Sequence, residues 1–89
     1  MMASAKDLLG GKKSSVRKIA SELRVLGKKC NTIHAMLANA MADRLVESGA
    51  GDFVYRDVAS DIVMMVTDVK KYNPTVGDEL IELAKRLRS

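Results

Sequence analysis

A short run of glycine, lysine and serine near the N-terminus contains residue types that suit phosphate binding. Gly10 and Gly11 precede Lys12 and Lys13, and two serines follow. Free backbone N–H groups at a helix start, flanked by lysine, can hold a phosphate. The spacing is not that of a P-loop, which needs Gly-x-x-x-x-Gly-Lys-Ser/Thr after a strand. We favour the simpler interpretation, a solvated lead in front of a capped helix.

Cationic side chains continue into the helix that is predicted to follow. The candidate polyanion-binding residues are Lys12, Lys13, Arg17, Lys18, Arg24 and Lys28. Together they could follow a phosphate backbone and give affinity without reading base sequence. No aromatic residue lies among them, so a base-stacking surface is not expected. A solvated face, or salt bridges between subunits, would explain the same charges.

Cys30 and His34 lie four residues apart, so on one helix they would share a face and could ligate one metal ion. The chain has no other cysteine or histidine, and two ligands are too few for a structural zinc site. We therefore expect a core thiol at Cys30, and no metal or cofactor. No nucleophile, base and acid are grouped in the sequence, so we expect neither an enzyme nor a small-molecule substrate.

Six methionines accompany only three aromatic residues. Those in the predicted helices are Met36, Met41, Met64 and Met65. Methionine adapts to irregular gaps in cores and to partner surfaces. Core filling is the interpretation that we favour, and a groove for a partner helix is the alternative.

Composition restricts the class of protein. The 89 residues suffice for one domain, and the hydrophobic content of 47% is too high for a disordered chain. No apolar run approaches the roughly 18 residues of a membrane span. With a single cysteine and no apparent secretory signal, we expect a cytoplasmic protein, or one within a particle assembled in the cytosol.

The charges are distributed unevenly. Residues 1–29 carry eight basic and two acidic side chains, residues 30–69 two basic and six acidic, and residues 70–89 five basic and three acidic. The basic end could meet a phosphate or an acidic surface. Alternatively, the basic segments complement the acidic middle, within one chain or between subunits.

Apolar residues recur at alternating intervals of three and four from position 16 to position 40. They are Val16, Ile19, Leu23, Leu26, Cys30, Ile33, Leu37 and Ala40. This spacing is typical of one helix face. Met41 and Leu45 continue it with a shift of one residue, and Gly49 follows as an expected end. The sequence therefore predicts a flexible basic lead at 1–13 and a long helix over about 15–48.

Gly27 leaves two interpretations of this helix open. Glycine costs about 1 kcal/mol relative to alanine inside a helix, and Asn31 or Thr32 could cap a new helix after a turn. A turn normally resets the phase of a stripe, however, and the phase continues unchanged past Gly27. We therefore favour one continuous helix, with a bend at Gly27 as a variant.

Two shorter helices complete the predicted fold. Asp52 is expected to cap a helix over 53–72 whose apolar residues cover most of its circumference. Asn73 and Pro74 predict the cap and first residue of a helix over 74–88. The expected fold is all-α, with three helices in one domain over 14–89.

The unequal helix lengths predict self-assembly. At 1.5 Å per residue the long helix would span about 50 Å and the last helix about 20 Å. The shorter helices would leave part of the stripe uncovered, so we expect an oligomeric bundle. The predicted interface residues are Val16, Ile19, Leu23, Leu26, Ile33, Leu37 and Met41.

Two functions are consistent with these patterns. The first is a non-enzymatic scaffold or adaptor that associates with itself or with another helical protein. The alternative is an accessory protein that binds the phosphate backbone of nucleic acid through its basic N-terminal region. Neither function involves a membrane.

Overall fold

The computed structural model describes the backbone of residues 2–89 and the side chains of residues 15–89. Within this part the chain forms four α-helices: α1 (Met2–Lys28), α2 (Thr32–Val46), α3 (Asp52–Tyr72) and α4 (Pro74–Arg88). The all-α class is confirmed, and the number of three helices is wrong. The helix predicted over 15–48 is two helices, and α1 begins at Met2.

A turn at residues 29–31 divides the predicted long helix. The N–H groups of Lys29 and Cys30 donate to the carbonyls three residues back, at 3.1 and 3.2 Å, which tightens the end of α1. The Asn31 side chain accepts from the N–H of His34 at 2.8 Å and caps α2. Asn31 therefore caps a new helix, as the alternative interpretation with a turn after Gly27 predicts.

Gly27 lets the two helices approach closely beside this turn. A Cβ added to Gly27 would lie 2.6 Å from Cβ of Ala38 and 3.2 Å from Cα of Ala35. Both contacts belong to rigid parts of α2, so only glycine fits without a shift. The residue lies in the last turn of α1, where a helix-weakening glycine costs little.

The turn rotates α2, so its buried face differs from the predicted stripe by one residue. The buried side chains of α2 are those of His34, Ala38, Met41, Ala42 and Leu45. Ile33 and Leu37, which the stripe predicts to be covered, are 67% and 47% exposed. The unbroken three-and-four spacing in the sequence therefore joins two different faces.

The remaining helix ends follow local capping rules. Gly51 precedes α3 as the N-cap residue, and Asp52 is the first residue of the helix rather than its cap. The Asn73 side chain accepts from the N–H of Val76 at 3.2 Å, and Pro74 begins α4. Gly49 has a φ of +87° in the turn after α2, a conformation that favours glycine.

The helices form two hairpins, α1 with α2 and α3 with α4, and the hairpins close through α2 against α3 and α1 against α4. Leu23, Val58, Ile62 and Leu80 are completely buried at the centre. Because the turn folds α2 back along α1, much of the predicted stripe is covered within one chain. The α1 helix, with 27 residues, is still longer than α2 and α4, with 15 residues each. No helix in the described part is both long and apolar enough to cross a membrane.

Each pair of adjacent helices shares an ion pair. Arg24 reaches Asp43 between α1 and α2, and Arg44 reaches Asp61 between α2 and α3, at 2.6 and 2.9 Å. Lys70 pairs with Asp78 between α3 and α4 at 3.5 Å, and Arg86 with Glu22 between α4 and α1 at 3.2 Å. Part of the charge asymmetry of the sequence is therefore compensated within the chain.

Candidate protein-docking groove

The solvent side of α2 carries an apolar surface, here called the α2 outer face. It consists of Ile33, Met36, Leu37 and Ala40. Ile33 and Met36 are each 67% exposed and Leu37 is 47% exposed. Their spacing of three and four residues places them on one side of the helix. Isolated exposed apolar residues are ordinary, whereas a contiguous group on one helix face is a candidate interaction surface.

The α2 outer face exists because α2 is apolar on two sides. Its inner side packs with the small residues Ala38 and Ala42, which allow the close approach to α1 at Gly27. The larger aliphatic side chains Ile33 and Leu37 point to the other side. A helix with apolar residues nearly all round is usually covered on more than one side. In the single chain, only the inner side of α2 is covered.

A groove of about 450 Å³ lies between the α2 outer face and α3. Met64 on α3 forms its opposite wall and is 76% exposed, while Met41 and Met65 lie deeper and are nearly buried. The groove is therefore walled by Ile33, Leu37 and Met64, with methionines beneath. Thioether side chains change rotamer easily, which suits a surface that moulds itself to a partner helix.

Arg44 and two aspartates form one end of the groove rim. The Arg44 guanidinium donates to Asp61 at 2.9 Å and also to Asp57, which lies one helical turn earlier on α3. The hydrogen bond that Arg44 donates to Asp57, followed by the one that it donates to Asp61, raises the pKa of Arg44. This fork ties α2 to α3 and holds that end of the groove at a defined width.

His34 and Asp68 form the other end. The His34 side chain is 2% exposed, and its Nε2 lies 2.8 Å from Oδ2 of Asp68. Since a carboxylate only accepts, Nε2 carries the proton. The ring packs edge-on against Tyr72, with centroids 5.6 Å apart, and its Nδ1 has no hydrogen-bond partner. Around the groove, the carboxylates of Asp57, Asp61 and Asp68 outnumber the single guanidinium.

The structure divides the predicted interface residues into two sets. Those covered within the chain are Val16, Ile19, Leu23, Leu26 and Met41, with exposed fractions of 7% or less. The other two predicted interface residues, Ile33 and Leu37, are exposed, and both lie on the α2 outer face. Met36 and Met64 join them at the surface, whereas Met41 and Met65 fill the core. The core-filling interpretation thus holds for two of the four methionines.

The predicted polyanion-binding residues are also divided. Arg17, Lys18 and Lys28 are exposed on α1. Arg24 instead donates to Asp43 at 2.6 Å and lies within 3.5 Å of the Asn39 side chain and carbonyl. The side chains of Lys12 and Lys13 lie outside the described residues.

Cys30 and His34 act separately. The Cys30 thiol donates to the carbonyl of Leu26 at 3.7 Å, and partial burial raises the pKa of the thiol. His34 faces Asp68 across the helix pair. Among the described side chains, no group of three His, Cys, Asp or Glu residues is placed to hold a metal ion.

The sequence stripe, taken as one continuous surface, does not predict the exposed face on α2. The signal for that face is the cap at Asn31, because a new helix starting there has an independent phase. Met64 lies on α3, whose apolar residues cover most of its circumference and so do not indicate which side is exposed. Comparison with protein-family models, with curated proteins and with solved structures finds no significant match. A functional assignment therefore depends on the surface of this molecule alone.

Proposed function

We propose that this protein is a non-enzymatic helical scaffold or adaptor that acts through protein–protein association, including association with itself. The docking surface in this proposal is the α2 outer face together with the groove to Met64. The observation that carries it is the exposure of Ile33, Met36 and Met64, by 67%, 67% and 76%. When a partner covers exposed apolar area of this kind, the free energy of the system falls.

The shape and chemistry of the groove suit a helix. The groove lies between two helices and presents apolar side chains at intervals of one helical turn, as in helix-in-groove recognition. His34 and Arg44 are both engaged in bonds that join α2 to α3. These contacts support a structural role for the polar residues of the rim and a docking role for the apolar ones.

A second groove, between α1 and α4, is a weaker candidate. It has about 420 Å³ and contains Val25, which is 52% exposed, beside Leu26 and Leu83, which are buried. Its rim is the Glu22–Arg86 ion pair and neighbouring acidic residues. One exposed valine offers much less apolar area than the exposed residues of the proposed docking surface, Ile33, Met36, Leu37 and Met64.

The test compares two aspartate substitutions on the same helix. Leu37→Asp places a charge in the groove wall, and Val46→Asp places one at an equally exposed position, 47% in both cases, on the opposite side of α2. We expect the wild-type chain and Val46→Asp to gain mass with concentration in sedimentation velocity, and Leu37→Asp to remain a monomer with unchanged helicity. Equal association of all three proteins, or a wild-type chain that stays monomeric, would refute the proposal.

Binding to the nucleic-acid backbone is a second candidate function. The observation that favours it is the exposure of Arg17, Lys18 and Lys28 along α1, with no ion pair among the described side chains. Because Arg24 is engaged by Asp43, the proposed contact uses fewer α1 cations than the sequence suggests.

The test is the salt dependence of duplex binding. If Arg17 and Lys18 each contact a phosphate, the double variant R17Q/K18Q should reduce the slope of log affinity against log salt by about two. The control K85Q/R88Q removes two exposed cations from α4. An unchanged slope in R17Q/K18Q, or an equal loss in the control, would count against this function.

A further inference from the structure

We propose that the groove between α2 and α3 binds the N-terminal segment, residues 1–14, of a second copy of this chain. This proposal rests on the docking function assigned above and names the partner. The exchange is reciprocal: each copy contributes its segment and receives that of its partner, which closes a dimer.

The apolar residues of the segment match the apolar wall of the groove. Met2, Ala5 and Leu9 have the spacing i, i+3 and i+7 by which a docked helix presents its anchors. Leu8 lies beside them in the sequence. Across the groove, Ile33, Leu37 and Met64 would receive these side chains.

The charges are complementary as well. The segment carries Lys6, Lys12 and Lys13 against one acidic residue, Asp7. The groove rim carries Asp57, Asp61 and Asp68 against Arg44. Opposite charges around an apolar contact steer association and fix the register of the partner.

The position of α1 favours a second copy over the same chain. Val16 lies beside Leu45 and Val46, at the C-terminal end of α2, whereas Ile33 lies in its first turn, about 18 Å away at 1.5 Å per residue. The α1 helix runs antiparallel to α2, so its backbone from residue 15 back to Met2 leads past the end of α2 and away from the groove. To reach its own groove the segment would have to reverse direction before Val16.

The same charges disfavour a dimer in which two α2 outer faces meet. In that arrangement the carboxylates of Asp61 and Asp68 in one copy would approach those of the other. Juxtaposed like charges cost free energy at an interface and select against that partner. A basic segment avoids this repulsion.

The experiment uses full-length chains with substitutions on either side of the proposed contact. The segment variant is L8D/L9D, the groove variant is I33D/L37D, and V46D is the control. Sedimentation velocity is measured on each protein alone and on an equimolar mixture of the first two. Circular dichroism on the same samples establishes that helicity is retained.

We expect the wild type and V46D to dimerise and both double variants to be monomers. The mixture should recover dimers of the mixed type, because the groove variant still supplies a segment and the segment variant still supplies a groove. With one contact instead of two, the recovered dimer should be weaker than the wild-type dimer.

Two results would overturn this inference. If L8D/L9D dimerises as the wild type does while I33D/L37D is a monomer, the groove takes a different part of the partner, and the docking function stands. If both variants are monomers and their mixture is too, the segment and the groove do not contact each other. Dimerisation of both variants at wild-type strength would refute the docking function as well.

Discussion

At Gly27 a single missing Cβ sets the distance between two helices. Side chains and backbone of α2, at Ala38, Ala35 and His34, occupy the space that any larger residue would need. Helix propensity alone favours alanine here, although by less than the roughly 1 kcal/mol of a helix interior because Gly27 lies in the last turn of α1. The close approach reverses that expectation.

Gly27→Ala should lower the free energy of unfolding by about 1–3 kcal/mol, the usual cost of overpacking, despite the gain in propensity. The matched control is Gly77→Ala in α4, where the added Cβ would meet Lys70, its nearest atom being Cγ at 2.5 Å. Lys70 is half-exposed and can relieve the contact by a change of χ1, with at most the loss of its exposed ion pair to Asp78, so this variant should cost less than Gly27→Ala. Urea denaturation of both variants measures the difference, and equal losses would show that the contact with Ala38 is unimportant.

The helix boundary at Asn73 and Pro74 can be predicted from the sequence, whereas the division of the predicted long helix into α1 and α2 cannot. Local signals were sufficient at Asn73 and Pro74, where the cap and the proline coincide. At Asn31 the cap signal competes with an uninterrupted apolar stripe, which favours one long helix. The stripe is ambiguous because Ile33 and Leu37 are as apolar as a core requires, although the turn places them outside.

The cap at Asn31 is expected to control where α2 begins. Asn31→Ala removes the acceptor for the His34 N–H and should cost about 1 kcal/mol, while Asn31→Ser retains a capping oxygen and should cost much less. Thermal unfolding followed by circular dichroism gives the ranking. Equal stability of the alanine and serine variants would mean that packing at Gly27, rather than the cap, positions the turn.

For the whole molecule, the distribution of charge has two consequences. Ion pairs join each pair of adjacent helices, yet exposed pairs contribute only about 0–1 kcal/mol each, so burial of apolar residues such as Leu23 and Ile62 supplies the stability. The carboxylates of α3 that help to pair the helices also leave an acidic rim around an apolar groove. The all-α class followed from periodicity, whereas this groove depends on the relative rotation of α2 and α3, which periodicity does not report.

The most direct test of the docking surface is a dilution series with methyl-labelled methionine, observed by NMR. Met36 is exposed on the α2 outer face and Met64 in the groove wall, whereas Met41 and Met65 lie in the core. We predict that the Met36 and Met64 methyl signals move with concentration in the wild type and not in Leu37→Asp. Association that raises the mass while leaving the Met64 signal unchanged would place the interface elsewhere and contradict this account.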